Sequence, residues 1–344
     1  MSPEQSSASR RGFSLVEIMV SMTIVTLILL VLVSLTDSVR RTWSYTTTKT
    51  EQFRDAREAF ESVTRRLSQA TLNTYLDYDY PLTGSGKADT TQLPSRYARQ
   101  SELRFISGTA QTLIASGSSA THAVFFQAPI GYSDKSDYAD LQKLLNTCGY
   151  FIEFGDDTAT RPTFITTAIV PPRYRFRLME MVEPSESLTL YKYTSGYPGY
   201  TGTDWFTVPL GLASRPAQVR AENIIALIIL PKLAAEEDST GAKLAPAYSY
   251  DSTLTAADAT LNSKNQLPPV VQITMVAVDE TSFSRYQKNS TMTDLTSGLF
   301  TDATQYDSDL SRLQTILQDK KLNYRVFTTN VSLKNAKWSR EQSN

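Results

Sequence analysis

Apolar residues crowd one end of this chain and thin into short alternating runs along the rest. From Phe13 to Thr36 the chain is a near-continuous apolar run in which Glu17 is the only ionisable side chain. As a helix that run rises ~36 Å, enough to cross the hydrocarbon core of a bilayer. Neither Pro nor Gly occurs between Phe13 and Tyr80. Beyond Thr36 the pattern turns amphipathic, with Val39, Trp43, Thr46, Thr50, Phe53, Phe60, Val63, Leu67 and Ala70 at three- and four-residue spacing. One helix from about Ser14 to about Asn73, ~90 Å long, is predicted, its second half packed on the C-terminal domain. Arg54/Glu58, Arg57/Glu61 and Glu61/Arg65 are spaced as i,i+4 ion pairs on its outer faces.

The pattern then changes period. Residues 75–101 are rich in Pro, Gly and small polar residues and read as a loop. Short apolar or alternating runs predict strands at 102–107, 112–115, 122–128, 149–154, 173–183, 187–193, 223–230, 269–278 and 323–334. Residues 223–230 (NIIALIIL) are too few and too β-branched for a second membrane span, and Pro231 is expected to end them. Short helices are predicted at 134–146 and at 309–320, where Leu310, Leu313, Ile316 and Leu317 share a face. Residues 195–204, 233–266 and 281–306 read as loops, the last two long for a compact domain and read as insertions rather than binding loops.

The fold class expected is α+β: a long N-terminal helix packed on a mainly antiparallel β domain with long loops. The divisions expected are a leader at 1–12, a transmembrane helix at 13–36, its amphipathic continuation at 37–74 and a β-rich head at 75–344.

Charge and composition remove several function classes. With 34 basic and 35 acidic residues the chain lacks the basic excess of a nucleic-acid binder. One cysteine, Cys148, and one histidine, His122, exclude an internal disulfide and a Cys/His zinc site. No Gly-rich phosphate loop is present. His122 lies in an apolar run (HAVFF) and reads as structural rather than as a triad base. Asp156-Asp157 and Glu236-Glu237-Asp238 lack the alternating ligands of a calcium loop and read as solvated loops. Tyr132, Tyr138, Tyr197 and Tyr200 read as ordinary β-domain tyrosines rather than a carbohydrate surface, and Cys148 as a buried thiol. No cofactor, metal or catalytic residue is expected.

The N-terminus carries the chemistry. A carboxylate within a membrane-length run is costly and implies a partner. A secretory signal peptide is argued against by the length of the run and by the missing A-x-A site before Asp37, and a twin-arginine signal by the missing site and the strongly apolar run. A plain anchor explains neither Gly12 nor Glu17. The order Arg10-Arg11-Gly12-Phe13-Ser14-Leu15-Val16-Glu17 resembles the type IV prepilin signature. That resemblance implies cleavage between Gly12 and Phe13 by a cytoplasmic-side prepilin peptidase, N-methylation of Phe13 and a register role for Glu17 against the α-amino group of a neighbouring subunit. Glycine suits the cut because it puts no side chain in the way. Arg10 and Arg11 are the leader's basic residues, and the positive-inside rule keeps that end cytoplasmic.

The late segments NIIALIIL, LPPVVQITMVAVDE and NYRVFTTNVSLKNAKW are similar to the large minor pseudopilins of J and W type. With RYRFRLMEM and AYSYDS the head looks closest to the Verru_Chthon cassette protein C family. These resemblances imply a non-enzymatic minor subunit of a filament of the type II secretion or type IV pilus kind, with the filament tip as a candidate position. Other pilin-like subunits would be its partners, and the inner membrane its site before assembly, with the head in the periplasm. The alternative from a different class is an uncleaved single-pass binding module, an adhesin or sensor.

Overall fold

The computed structural model describes residues 15–115, 119–138, 140–158, 161–162, 164–165, 167, 169–192, 202–255, 261–287, 292 and 294–339. The chain divides into two units, Met1–Glu51 and Gln52–Asn344.

Helix α1 spans Leu15–Leu67. In the first unit its apolar stretch, Leu15–Asp37, is long and apolar enough to cross a membrane, and none of it is buried within the chain. The hydroxyls of Ser21, Thr23, Thr26 and Thr36 each donate to the carbonyl four residues back, at 2.7–2.8 Å. Such back-bonding satisfies polar groups that a bilayer cannot.

In the second unit the helix buries Ala56, Ala59, Phe60, Val63 and Leu67, a stripe at i, i+3, i+4, i+7 and i+11. Arg54 pairs with Glu58 and Arg57 with Glu61, so Glu61 is taken before Arg65 can claim it. The helix ends at Leu67, short of the Asn73 expected. Its last turn tightens, with Gln69 N bonding Arg66 O and Ala70 N bonding Leu67 O, and the next amide, Thr71, is taken by Gln127 O of the sheet. Asn73 Oδ1 instead accepts from the amides of Glu102 and Leu103.

The head is mainly antiparallel β, as the sequence predicts. Strands β1 (Tyr75–Asp79) and β2 (Arg96–Gln100) pair antiparallel. They form a ribbon where a loop was expected. Strands β3 (Phe105–Thr109), β4 (Ser119–Pro129), β5 (Leu145–Asp156), β6 (Tyr174–Glu183) and β7 (Ala217–Glu222) form an antiparallel meander. A third sheet has the order β11-β10-β8, from β8 (Ile224–Lys232), β10 (Val270–Val278) and β11 (Tyr324–Ser332). Strand β8 runs straight through Pro231. The two-residue β9 (Tyr250–Asp251) edges the meander beside β3.

The meander is buried on both faces, which explains its nearly unbroken apolar runs. One face puts Val124, Phe126, Tyr150, Ile152 and Leu178 into the main core with β8 and β10. The other puts Phe125, Phe151, Met179 and Met181 against Trp205 and Phe206 of helix α3 (Asp204–Leu210). Phe125 stacks on Phe206 at 3.9 Å, and across the ladder it faces Gly149, where an added Cβ would sit 2.3 Å from the Phe125 ring.

Several expectations need correction. Residues 112–115 belong to helix α2 (Ala110–Ile114), closed by Ala115 in the left-handed region, not to a strand. Among the described residues of 134–146 no α-helix forms: a tight helical turn at Ser136–Tyr138 is followed by further turns until β5 begins, and residues 187–192 of the strand expected at 187–193 lie in tight turns at Ser185–Ser187 and Thr189–Tyr191. Both long predicted loops, 233–266 and 281–306, contribute described residues to the core. Leu244, Ala245, Tyr248 and Tyr250 are buried, as are Phe283, Leu295, Leu299 and Phe300. Helix α4 (Glu280–Tyr286) opens 281–306, capped by Asp279, and helix α5 (Tyr306–Asp319) comes after it.

A bulge in β4 joins the two larger sheets. Between Ala120 and Val124 the ladder shifts, and Thr121 takes φ 55°. Thr121 Oγ1 then accepts Leu227 N at 3.0 Å and His122 Nδ1 accepts Ile229 N at 3.1 Å. An amide can only donate, so Nδ1 is unprotonated and Nε2–H donates to Phe300 O at 3.1 Å. Burial pushes the imidazole down to about 4.

His122→Leu should cost roughly 2–4 kcal/mol, because it orphans a buried amide and a buried carbonyl. The unfolded chain takes up the histidine proton near pH 6.5 while the folded chain resists it to about 4, so this contribution is lost as pH falls. Glu183, raised by burial to about 7, works in the opposite direction over the same interval. Comparison with the variant isolates His122. The wild-type advantage in urea unfolding should shrink by about 2 kcal/mol between pH 7 and pH 5, and a constant gap would rule out a buried neutral imidazole.

Candidate functional site: the N-terminal assembly segment and the head cleft

Glu17 occupies the first turn of α1, the end where the helix dipole favours a carboxylate. Its side chain is exposed and has no partner among the described residues, while its carbonyl accepts from Ser21. The flanking apolar residues are exposed too: Leu15 75%, Val16 66% and Ile18 52%. An isolated chain therefore leaves both an uncompensated carboxylate and a bare apolar cylinder. In lipid or against similar helices the cylinder is satisfied, and the carboxylate then calls for a cation supplied from outside this segment. Arg10, Arg11, Gly12 and Phe13 lie outside the described residues.

In the head, the acids considered as cation ligands hold the chain's own turns. Asp157 is buried and binds Arg161 at 2.8 Å and Arg173 at 2.9 Å. Asp238 is buried and accepts from Thr240 N and Oγ1 and from Lys243 N. Neither is the solvated acid expected. Asp238 belongs to a repeated device the sequence reading missed. In Asp89/Thr91, Asp156/Thr158, Asp251/Thr253, Asp294/Thr296 and Asp302/Thr304 as well, one carboxylate oxygen accepts both the amide and the hydroxyl of the threonine two residues on. This Asx-turn geometry closes loops with the acceptor groups a cation would need. The signal, Asp-x-Thr, stands in the sequence. Among the described residues, no group of three His, Cys, Asp or Glu side chains is placed to hold a metal.

The other residues singled out fall in separate places. Cys148 is buried on β5, where desolvation pushes its thiol well above the usual range. Tyr132 donates to Asp134 at 2.6 Å and Tyr138 stacks under the Lys135 ammonium, while Tyr197 and Tyr200 lie outside the described residues. The exposed aromatic cluster is elsewhere, on the β1–β2 ribbon, where Tyr78 packs on Tyr97 at 5.0 Å and on Tyr80 at 6.2 Å.

A cleft of about 750 Å³ opens where the end of α1 meets β6 and β7. On its floor Glu180 binds Arg66 of α1 at 2.6 Å, Arg220 of β7 at 2.9 Å and the Tyr150 hydroxyl at 2.6 Å. Arg220 also reaches Ser62 at 3.4 Å. One buried carboxylate thus fastens the helix to the sheet.

The model of the prokaryotic N-terminal methylation motif matches residues 7–33, which supports a type IV pilin-like protein. The match takes in Arg10 to Glu17 and most of the apolar stretch and ends before the head. No curated protein and no solved structure matches the chain.

Because Asp157, Asp238 and the other Asp-x-Thr acids already hold the chain's own groups, millimolar calcium should leave the melting temperature unchanged. Asp157→Asn should cost about 2 kcal/mol through weaker pairing with two guanidiniums. A calcium-dependent rise of several degrees, lost in Asp157→Asn or Asp238→Asn, would refute the turn-closing role.

Proposed function

We propose that this chain is a minor pilin-like structural subunit, a pseudopilin, cut by prepilin peptidase between Gly12 and Phe13. Phe13 becomes the N-methylated mature N-terminus. The apolar helix then carries the subunit from the inner membrane into a filament of the type II secretion or type IV pilus kind. The observation that carries this reading is the methylation motif over 7–33, whose described part, from Leu15 on, lies in the apolar stretch of α1 that nothing in the chain buries.

Glu17 pairs with the α-amino group of Phe13 in a neighbouring subunit. That pair offsets the cost of two charges in an apolar environment and sets the axial register, because only one stagger brings them together. Arg10 and Arg11 hold the leader on the cytoplasmic side, and the head lies in the periplasm. The divisions 1–12, 13–36, 37–74 and 75–344 are taken as leader, assembly helix, continuation and head, with the helix itself ending at Leu67 within the third. The motif points to a structural part rather than an enzyme. The head groups with the J and W types and the cassette protein C family, and its bulk favours the filament tip, since a shaft packs many copies closely.

Mass spectrometry of the membrane-extracted protein tests the cleavage. The expected N-terminus is methylated Phe13, and a chain beginning at Met1 or Ser2 would instead identify an uncleaved anchor.

Glu17→Ala should be cleaved normally yet lost from sheared filaments or from cross-linked assemblies with other pilin-like subunits. Undiminished incorporation of that variant would refute the register role.

A further inference from the structure

Three strands bring a row of polar side chains onto the α3 face of the meander. Gln127 of β4 lies opposite Thr147 of β5, and Thr147 lies opposite Glu183, the last residue of β6. Each stands an even number of residues from Phe125, Phe151 or Met181 of its own strand, so the three point the same way. All three are buried. Gln127 Nε2 and Thr147 Oγ1 have no hydrogen-bond partner among the described residues. Orphan donors in a core are costly, and these two stand in line with a carboxyl.

Glu183 also fastens the cover of that face. Its Oε1 accepts from Thr189 N at 3.1 Å, and its Oε2 lies 3.4 Å from Thr189 Oγ1. Thr189 Oγ1 donates in turn to Trp205 O of α3 at 2.7 Å. Leu190, next to Thr189, and Trp205 are buried in the core under α3. A hydroxyl has one proton and a carbonyl can only accept, so the short bond to Trp205 takes it. The contact between Thr189 Oγ1 and Glu183 Oε2 then needs a proton on the carboxyl. With Glu183 neutral, two protons serve two contacts, and β6, the turn and α3 are linked in one chain. With Glu183 ionised, one proton must serve both, and the orphan Thr147 hydroxyl has an anion to turn to.

Glu183 lines the head cleft, which gives its proton a way to water. The turns and the β4–β5 connection beside it carry Glu186, Lys192, Asp134 and Lys135, and α3 carries Asp204. The cleft adds Arg66, Glu180, Arg215 and Arg220. Glu186 is held by Ser133 Oγ and the Asp134 amide, Arg215 by Glu153, and Arg66 and Arg220 by Glu180. Burial pushes the Glu183 carboxyl up to about 7, Thr189 and Thr147 act the other way, and none of these charges is among the causes.

We propose that Glu183 is a proton-operated fastener: neutral, it ties α3 to the sheet through Thr189; ionised, it gives up that chain for Thr147, and α3 loosens from Phe125 and Phe151. Opened to water, the carboxyl returns to its ordinary value of 4.5, whereas held it keeps its proton to about 7. The closed state binds the extra proton, so the fastening is complete below 4.5 and is lost as pH rises through about 7. The device is independent of how the N-terminus is processed, so it can fail without touching the proposed function.

The test is hydrogen exchange of the full chain in detergent micelles, read at residues 206–211 as protection relative to an unstructured peptide at the same pH. Protection should fall roughly seventyfold between pH 5 and pH 8. Glu183→Gln keeps an acceptor and a donor but cannot ionise, so its protection should be high and flat across that range. Thr147→Val should match the wild type at pH 5, where the hydroxyl has no bond to lose, and fall about tenfold below it at pH 8. The carboxyl carbon resonance of Glu183 in the wild-type chain supplies a reading that needs no variant, with a midpoint expected near 7. A midpoint near 4.5, flat protection in the wild type, a slope retained in Glu183→Gln, or protection lost at pH 5 in Thr147→Val would each overturn the proposal.

Discussion

Two side chains of β4 hold the head together. Strand β8 is paired with β10 on one side, and on the other its amides at Leu227 and Ile229 would be orphans in the core. Thr121 and His122 take those amides through the bulge, so side chains do the work of a missing strand. The cost of leaving such groups unpaired is ~1–3 kcal/mol each, which is a large part of a domain's net stability. The arrangement also demands a neutral imidazole, and the same ring is packed against Tyr248 at 4.6 Å. The 233–266 segment is therefore part of the core.

The helix is fastened to that core by a different device. Ala56, Ala59, Val63 and Leu67 bring it close to the sheets, and Phe60 packs on Phe327 of β11 at 5.7 Å. The apolar stripe sets which face of the helix turns inward. The Arg66–Glu180–Arg220 cluster, completed by Tyr150, supplies the directional contact. Breaking one partner of a buried ion cluster costs more than the intact cluster gains, which makes it a device for specificity.

Elements whose burial pattern has one period were legible in the sequence. The apolar half of α1, β8, β10 and α5 read correctly because a single face, or both faces, is apolar without interruption. The ribbon β1–β2 did not, because its strands are only five residues long and mostly exposed or half-buried, with Pro81, Gly84, Gly86 and Pro94 between them. Residues 110–114 have the composition of a strand, yet Leu113 folds against Gly108 and the chain turns at Ala115. Tertiary contacts chose there, and no local pattern announces them. At the cleft, Arg66, Glu180 and Arg220 come from three elements far apart along the chain, so nothing in their spacing points to one site. The N-terminal motif is the reverse case: its signal lies in consecutive residues.

That contrast bears on why the motif is recognisable while the head matches nothing. A peptidase and a helical assembly both act on a short linear segment in which Gly12, Phe13 and Glu17 have fixed chemical tasks under the proposed reading. Substitution at any of them is costly for a local reason. The head is held by distributed contacts, and a core tolerates exchange of apolar residues when volume and pattern are kept. Turns closed by Asp-x-Thr units can shift along the chain without altering the sheets they connect. A head held by such distributed contacts offers no short run of consecutive residues to read, unlike the segment from Gly12 to Glu17.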